Sequence, residues 1–198
     1  MARIYNVMGV SGAGKDTVAG ILSELLPKTK MIKWVQPTKD AIEAAYGLPV
    51  GTLNDREARQ QPIDPSRWGS FSYLDLLVEM AKVKMNSSLT FGRDETVQDI
   101  KLALLDGYDV VLTDTRMPSE VEEVMELSQQ YPVHNICVFG RGNALCSDTQ
   151  LNENWRRLVT GILLQPCTFT CLPNTMNLEH LKSRVRGILE ATGVIEAP

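Results

Sequence analysis

A glycine-rich segment close to the amino terminus has the residue types and the spacing that bind phosphate groups. Residues 9–17 read GVSGAGKDT and contain the pattern GxxxxGK. Glycines let the backbone approach a ligand closely, so that successive N–H groups converge on phosphate oxygens, and the lysine reaches the outer phosphates. The segment therefore predicts a phosphate-binding loop. The residues predicted to form it are Gly9, Ser11, Gly12, Ala13, Gly14, Lys15, Asp16 and Thr17.

The position after the loop lysine departs from the usual phosphate-loop pattern. That pattern has a serine or threonine there, whose hydroxyl binds Mg²⁺, whereas this chain has Asp16 followed by Thr17. A carboxylate is also a hard oxygen ligand for Mg²⁺, although it adds negative charge beside the phosphates that cations must offset. Asp16 and Thr17 are therefore predicted metal ligands, together with Asp114 from a later segment.

Two more polar residues, Asp114 and Arg116, follow the apolar segment 109–113, which is typical of a buried central strand. In open α/β sheets ligands bind at the carboxyl ends of the strands, so both side chains are expected at the edge where the phosphate loop opens. Asp114 is predicted to hold Mg²⁺, and Arg116 to bind a phosphate. With Lys15 and Arg141 they form the predicted catalytic set. In the alternative interpretation Asp114 is an ordinary turn residue before a helix.

Residues 50–71 are polar, rich in arginine and interrupted by prolines, and they belong to an inserted helical region that could hold a second substrate. Arginine binds phosphate in a bidentate manner, so cations here are candidates to meet that substrate. The predicted substrate-binding residues are Lys39, Arg56, Arg59, Arg67, Trp68, Arg93 and Arg116. The alternative for each arginine is a solvated ion pair, such as Asp55 with Arg59 at i, i+4. Four aromatic residues could stack on a base or, alternatively, pack in a core: Trp68, Phe71, Tyr73 and Phe91.

Further arginines flank a glycine-containing segment at about residues 140–157. Arginines in such a place are typical of a lid that closes over phosphates. The lid arginines are Arg141, Arg156 and Arg157, of which the last two are predicted to bind ATP.

Alternating strand and helix patterns place these groups on an α/β fold. Strands are predicted at residues 4–8, 31–35, 109–113, 133–139 and 167–172, with amphipathic helices between them and at the end. The alternation predicts three layers, with a doubly wound parallel sheet of about five strands and helices on both faces. We expect one domain, with a core at 1–49 and 107–198, a helical acceptor-binding insertion at about 50–106 and a lid at about 140–157.

Composition limits the partners. With 198 residues, 43% of them hydrophobic, the chain can bury one substantial core. The formal net charge of −4 argues against binding a nucleic-acid polymer, which usually needs a clustered basic face. The first strand starts too early for a signal peptide and no apolar segment could span a bilayer, so we expect no membrane partner and a cytoplasmic protein. The four cysteines lack the paired spacing of a zinc site, and reduced thiols are expected.

Several motifs, in the right order, resemble those of the bacteriophage deoxynucleoside monophosphate kinases, a branch of the P-loop nucleoside monophosphate kinases. Residues 14–17 (GKDT) are similar to that family's GKD[TS] loop, including its aspartate. Residues 111–120 (VLTDTRMPSE) are similar to its V-[IL]-[ST]-D-x-R-x-P-x-E segment. Residues 36–39 (QPTK) resemble its D-P-[LT]-K turn, with Gln36 in place of the acid. The late Leu172-Pro173-Asn174 is similar to one of its strand ends.

The resemblance implies a P-loop kinase fold and an enzyme that uses ATP and Mg²⁺ to phosphorylate a deoxynucleoside monophosphate. It implies that Lys15 and the loop amides hold the donor, and that Arg116 with Lys39 faces the acceptor. The arginines implied to close over the transferring group are Arg141, Arg156 and Arg157. The location would be the host cytoplasm if a phage encodes the chain. A homodimer is one candidate assembly, and the sequence leaves the accepted base and the sugar preference open.

Two other functions stay open on the sequence. The first is a P-loop kinase for another phosphorylated small molecule, because phosphomevalonate kinase shares the GKD spelling and a similar D-x-R segment. The second is a nucleotide-binding module without catalysis, in which Lys15→Ala would abolish ATP binding with no activity to lose. Phosphorylation assays with nucleotides and mevalonate phosphate distinguish the three.

Overall fold

Five parallel strands form one sheet within the residues that the computed structural model describes, which are 1–9, 12–85, 92–115, 117–139, 168–174 and 177–196. The strands are β1 (Ile4–Met8), β2 (Thr29–Lys33), β3 (Asp109–Thr113), β4 (Val133–Phe139) and β5 (Thr168–Pro173). Their order across the sheet is β2-β3-β1-β4-β5.

Helices separate and follow these strands. They are α1 (Lys15–Leu25), α2 (Gln36–Tyr46), α3 (Arg56–Gln60), α4 (Pro65–Trp68), α5 (Tyr73–Met85), α6 (Arg93–Leu105), α7 (Pro118–Leu127) and α8 (Leu178–Ala191). A short 3-10 turn, Thr52–Asn54, lies between α2 and α3. In the described part of the chain, none of the helices has the length and apolar character needed to cross a membrane.

Each face of the sheet is covered by its own apolar core, because successive side chains of a strand point to opposite faces. One face packs against α1 and α8, with Val7, Ile136 and Leu172 among its buried strand residues. The other packs against α6 and α7, with Ile4 and Leu112 in its core. The predicted α/β fold, a five-stranded parallel sheet with helices on both faces, is confirmed.

The prediction for β2 is wrong by two residues at each end. The strand begins at Thr29, because Thr29 and Lys30 pair with the first residues of β3. β2 is an edge strand with exposed positions, so its polar first residues lack the hydrophobic pattern that predicts a strand. Trp34 and Val35 lie outside it, since Val35 already has the helical φ and ψ of −79° and −13° and precedes α2.

The chain divides into two compact units. The first is formed by Met1–Trp34 with Val97–Pro198 and contains the sheet. The second is Val35–Thr96 and contains α2 to α5. The organisation as a single domain, with an insertion at about 50–106 and a lid, stays a prediction.

The second unit is held together by hydrogen bonds around a buried carboxylate. Glu43 of α2 is 2% exposed and accepts from the backbone N–H of Gly51 at 2.8 Å and of Leu53 at 2.6 Å. Leu53 is itself fully buried.

At the start of α5, Ser72 and Asp75 bond each other's backbone N–H groups in the manner of a capping box. The Ser72 hydroxyl also donates to Asp75 Oδ2 at 2.7 Å, and this bond, followed by the one from the Ser72 N–H, lowers the pKa of the Asp75 carboxyl.

Candidate active site

The phosphate loop leaves β1 and leads directly into α1. A Cβ on Gly9 would lie 2.4 Å from the carbonyl oxygen of Val138, so only glycine fits at the start of the loop. Gly14 is the N-cap of α1 and has a φ of 98°, a left-handed conformation that favours glycine. The described part of the loop therefore has the form that binds phosphate, a glycine turn that runs into a helix N-terminus.

Lys15 and Asp16 form the start of α1 and differ sharply in exposure. Lys15 is 6% exposed, so its ammonium group is largely withdrawn from water. Asp16 is exposed, and its Oδ1 lies 2.9 Å from Nζ of Lys33, the last residue of β2. Thr17 is exposed as well. The carboxylate that stands where phosphate loops have a hydroxyl is thus already paired with a cation.

Asn174 is a residue of the site that sequence reasoning missed. It follows β5, and its side-chain Nδ2 donates to the carbonyl oxygen of Ala13 at 2.8 Å. Its backbone N–H donates to Phe139 O at 2.7 Å, which ties the end of β4 to the loop. A Cβ on Gly14 would lie 2.2 Å from the same Nδ2, which gives a second reason for glycine there. The sequence placed Leu172-Pro173-Asn174 at a strand end and gave Asn174 no role, since 161 residues separate Asn174 from Ala13.

Asp114 lies at the carboxyl ends of the strands, where the phosphate loop starts. It directly follows Thr113, which pairs with Val7 of β1, so the ends of β3 and β1 are side by side. Its φ of 71° makes it the one non-glycine residue with positive φ among the described residues. Such a conformation costs free energy and is enriched at functional sites. Aspartate also adopts this conformation in ordinary turns, so both interpretations of Asp114 stay open.

A chain of buried hydrogen bonds supports the segment that carries Asp114. Nε1 of Trp34 donates to Thr115 Oγ1 at 3.0 Å, and that hydroxyl donates to Asn6 Oδ1 at 2.6 Å. Nδ2 of Asn6 donates to Asn135 Oδ1 on β4 at 2.9 Å. Paired polar groups of this kind are costly to disrupt, because each lost partner leaves an unsatisfied group in the core. The network therefore fixes the backbone next to Asp114.

The donor set suits a magnesium ion. Asp16, Thr17 and Asp114 offer carboxylate and hydroxyl oxygens, which are the ligands that Mg²⁺ takes from proteins alongside substrate phosphates. Within the described ranges there is no group of three or more His, Cys, Asp or Glu side chains that could hold a metal by themselves. This is compatible with Mg²⁺, which binds through one or two carboxylates and the phosphates of a nucleotide.

Five of the predicted site residues lie outside the described residues. They are Ser11, Arg116, Arg141, Arg156 and Arg157. The aromatic candidate Phe91, Cys146 and Cys167 lie outside them as well, as does the whole predicted lid at 140–157.

In the second unit, Lys39 and Arg59 are engaged with the chain itself. Lys39 is buried, and its Nζ donates to Asn54 Oδ1 at 3.1 Å. Nη1 of Arg59 donates to the carbonyl oxygens of Leu53 and Asn54 at 2.8 and 3.2 Å. Asp55 does not pair with Arg59 as the sequence suggested, because its carboxylate caps α3 by accepting from Glu57 N–H. Arg59 thus closes the Thr52–Asn54 turn.

The other substrate-binding candidates of this unit are more exposed. Trp68 is 54% exposed, so the alternative that it packs in a core is wrong, whereas Phe71 and Tyr73 are partly buried. The guanidinium carbon of Arg67 lies 5.4 Å from the centre of the Trp68 ring, and Phe71 packs beside the same ring at 6.3 Å. Arg56 is exposed. Arg93 is partly buried at the start of α6, 3.6 Å from the carboxylate of Asp94.

Lys84 is a further cation that sequence reasoning did not single out. Its Nζ donates to Thr38 Oγ1 in the first turn of α2 at 2.9 Å. A Cβ on Gly92 would lie 3.4 Å from the same Nζ. Lys84 and Lys39 therefore both belong to the surroundings of the first turn of α2, although 45 residues separate them in sequence. Helical periodicity over α5 predicted a helix, with no indication that Lys84 meets α2.

Histidine and cysteine near β4 have structural surroundings. His134 is buried, its Nε2 lies 2.9 Å from Thr170 Oγ1, and burial lowers its pKa. The imidazole therefore has a structural role in the packing of β4 against β5. Burial raises the pKa of Cys137 to about 11, with a smaller contribution from Cys171, so Cys137 stays a thiol at neutral pH. Both cysteines are free thiols.

Comparisons with known proteins identify the fold. No protein-family model matches the sequence, and no curated protein matches it. Among solved structures, shikimate kinase from Aquifex aeolicus matches with a TM-score of 0.50 and 13% identity, over 96% of this chain and 98% of that one. A gluconokinase from Sinorhizobium meliloti matches with a TM-score of 0.46 and 15% identity, over 96% and 93% of the two chains. The likeness to the shikimate kinase shows that the chain has the fold of a P-loop kinase.

Proposed function

We propose that this protein is a phosphotransferase that moves the γ-phosphate of ATP to a deoxynucleoside monophosphate, forming ADP and the diphosphate. The observation that carries the proposal is at the sheet edge after β1 and β3. A glycine turn follows β1 there and leads into a helix that begins with the buried Lys15, and Asp114 follows β3, the strand that pairs with β1. A P-loop kinase fold supports the same reaction class.

The phosphate loop is the part of the proposed site that binds the phosphoryl donor, ATP. The helix N-terminus and the backbone N–H groups of the glycine turn attract the phosphates of ATP, and Lys15 supplies a positive charge to the outer ones. Asn174 holds the loop from the side through Ala13. Because these elements are fixed by backbone geometry, little ordering is needed when the nucleotide binds.

Mg²⁺ is the implied cofactor, and Asp16, Thr17 and Asp114 are the described residues that would hold it. When bound, it neutralises charge on the β- and γ-phosphates. The role of Asp114 is then to present an oxygen at the end of β3, in a conformation that the Trp34–Thr115–Asn6 bonds maintain.

The acceptor half is assigned to the second unit. Lys39 and Lys84 at the first turn of α2 supply cations for an acceptor phosphate, and the resemblance assigns a partner role to Arg116. Trp68, with its exposed ring flanked by Arg67, offers a surface on which a base can stack. A nucleoside monophosphate combines both features, because it carries one phosphate and one flat base.

The proposed phosphoryl transfer requires that the two substrates be positioned correctly, and it does not require a general base. An oxygen of the acceptor phosphate attacks the γ-phosphorus, a new P–O bond forms, and the bond to the β,γ-bridging oxygen breaks with ADP as the leaving group. The attacking oxygen is already anionic, so no proton has to be removed. Cations that offset the charge of the two phosphates are therefore the groups that matter most.

A coupled ADP-release assay with Mg²⁺ tests the proposal across all common NMPs and dNMPs. Mevalonate phosphate and shikimate serve as the other acceptors, since one belongs to the alternative function and the other to the enzyme of the same fold. We expect release that depends on one or more dNMPs and is lost in Lys15→Ala. ADP release with mevalonate phosphate or shikimate alone would replace the proposed acceptor. ATP binding without turnover of any acceptor would favour a binding module.

A further inference from the structure

The phosphate loop carries a negative charge in an unusual place, and the structure pairs that charge with a cation from another strand. Asp16 lies in the first turn of α1, directly after Lys15. Nζ of Lys33, at the end of β2, lies 2.9 Å from Oδ1 of Asp16. The sequence predicted neither this contact nor any role for Lys33.

The electrostatics of the loop explain why such a cation matters. A nucleoside triphosphate brings several negative charges to the helix N-terminus, where Asp16 already contributes one. Two like charges several ångströms apart repel measurably even close to the protein surface, where the effective dielectric constant is about 20 or more. Loops with serine or threonine at this position do not have this repulsion. An ammonium group in contact with the carboxylate cancels most of it.

Stability does not account for the pair. The side chains are 32% and 72% exposed, and ion pairs between exposed groups contribute little to folding because water screens them and ordering costs entropy. The consequence of removing Lys33 should therefore appear in nucleotide binding, since the free carboxylate would then face the incoming phosphates.

We propose that Lys33 is a positioning residue of the phosphate loop, which neutralises Asp16 and thereby allows this aspartate variant of the loop to bind ATP. The inference rests on the proposed function, because it presupposes that the loop takes a nucleotide. It assigns to Lys33 an action through Asp16, with no contact of its own to the phosphates.

A double-mutant cycle in ATP affinity tests this assignment. Dissociation constants for ATP are measured by calorimetry in EDTA and again with Mg²⁺, for wild type, Lys33→Ala, Asp16→Asn and the double variant. Lys30→Ala is the matched control, since it removes the same charge from an exposed position of the same strand, on the opposite face. Lys33→Gln and the conservative Lys33→Arg serve as second variants, and thermal unfolding checks that each is folded.

We expect Lys33→Ala to weaken ATP binding by about tenfold at low salt, and by less at high salt. In the Asp16→Asn background the same change should alter the affinity less than about twofold, because no uncompensated carboxylate remains. Lys33→Arg should bind as wild type does. Equal losses in both backgrounds, or no loss in the wild-type background, would overturn the role of Lys33. A wild-type protein that binds no ATP would refute the proposed function itself, which is a separate outcome.

Discussion

The two units hold their candidate site residues in different ways. In the first unit, the site is fixed by backbone: glycines that no other residue could replace, a helix N-terminus, and an aspartate kept in a left-handed conformation. In the second unit, the candidates are side chains on short helices, and some of them are exposed while others bond to their own chain. If the proposed function holds, the donor site of the first unit is preformed, whereas acceptor recognition in the second unit depends on individual side chains.

The largest effect should come from the lysine of the donor site. Lys15→Ala removes the cation that is proposed to contact the outer phosphates, so we expect kcat/KM for phosphoryl transfer to fall by about a thousandfold. Steady-state kinetics with ATP and the best dNMP measure it, and Lys30→Ala provides a charge-matched control on β2. A loss below tenfold would mean that the first unit is not the donor site.

The second largest effect is expected from the buried hydrogen-bond network next to Asp114 in the chain. Thr115→Val leaves both Trp34 Nε1 and Asn6 Oδ1 without their partner, and we expect a loss of about 3 kcal/mol in unfolding free energy. Urea unfolding measures it. Thr192→Val, which removes a hydroxyl that bonds the Ile188 and Leu189 carbonyl oxygens at the exposed end of α8, is the control and should cost about 0.5 kcal/mol. Equal losses in the two variants would show that the buried network stabilises the fold no more than the hydroxyl of Thr192 does.

A third change acts within the second unit. Glu43→Gln can no longer accept from both Gly51 and Leu53 N–H groups, so we expect a loss of about 2 kcal/mol. Hydrogen exchange followed by mass spectrometry should show faster exchange within residues 35–96 and unchanged protection in the sheet strands. Uniform acceleration over the whole chain would argue against two units of separate stability.

Two neighbouring substitutions sharpen the comparison within the acceptor region. Trp68→Ala should raise KM for the dNMP about tenfold with little change in stability, because the exposed ring is proposed to stack on the base. Arg59→Ala should lower the melting temperature and leave KM nearly unchanged, since its guanidinium bonds the Leu53 and Asn54 carbonyls. The reverse pattern would exchange the roles of these residues.

The smallest effect concerns pH. Burial holds the pKa of His134 below its ordinary value of 6.5, so the unfolded chain binds a proton more readily than the folded one. The contribution of His134 to stability is therefore complete above about pH 6.5 and is lost as the pH falls below it. His134→Gln should flatten the decline in unfolding free energy between pH 7 and 5. An unchanged slope in His134→Gln would contradict this.

The sequence patterns predicted those features that are formed by residues close together in the chain. The apolar run of β1, the glycine turn and the helical periodicity of α1 lie next to each other in sequence, and so do β3 and Asp114. The contacts of Asn174 with Ala13 and of Lys33 with Asp16 join segments that are distant in sequence, and spacing carries no information on them. The ends of β2 were missed for a similar reason, because pairing with β3 rather than hydrophobicity decides where an edge strand stops.

Transfer of label from [γ-³²P]ATP to a dNMP, followed by chromatography of the products, tests the central claim most directly. The account predicts a labelled deoxynucleoside diphosphate from the wild-type protein and none from Lys15→Ala. Label that stays in ATP with every dNMP, under conditions where the wild type binds ATP, would contradict it.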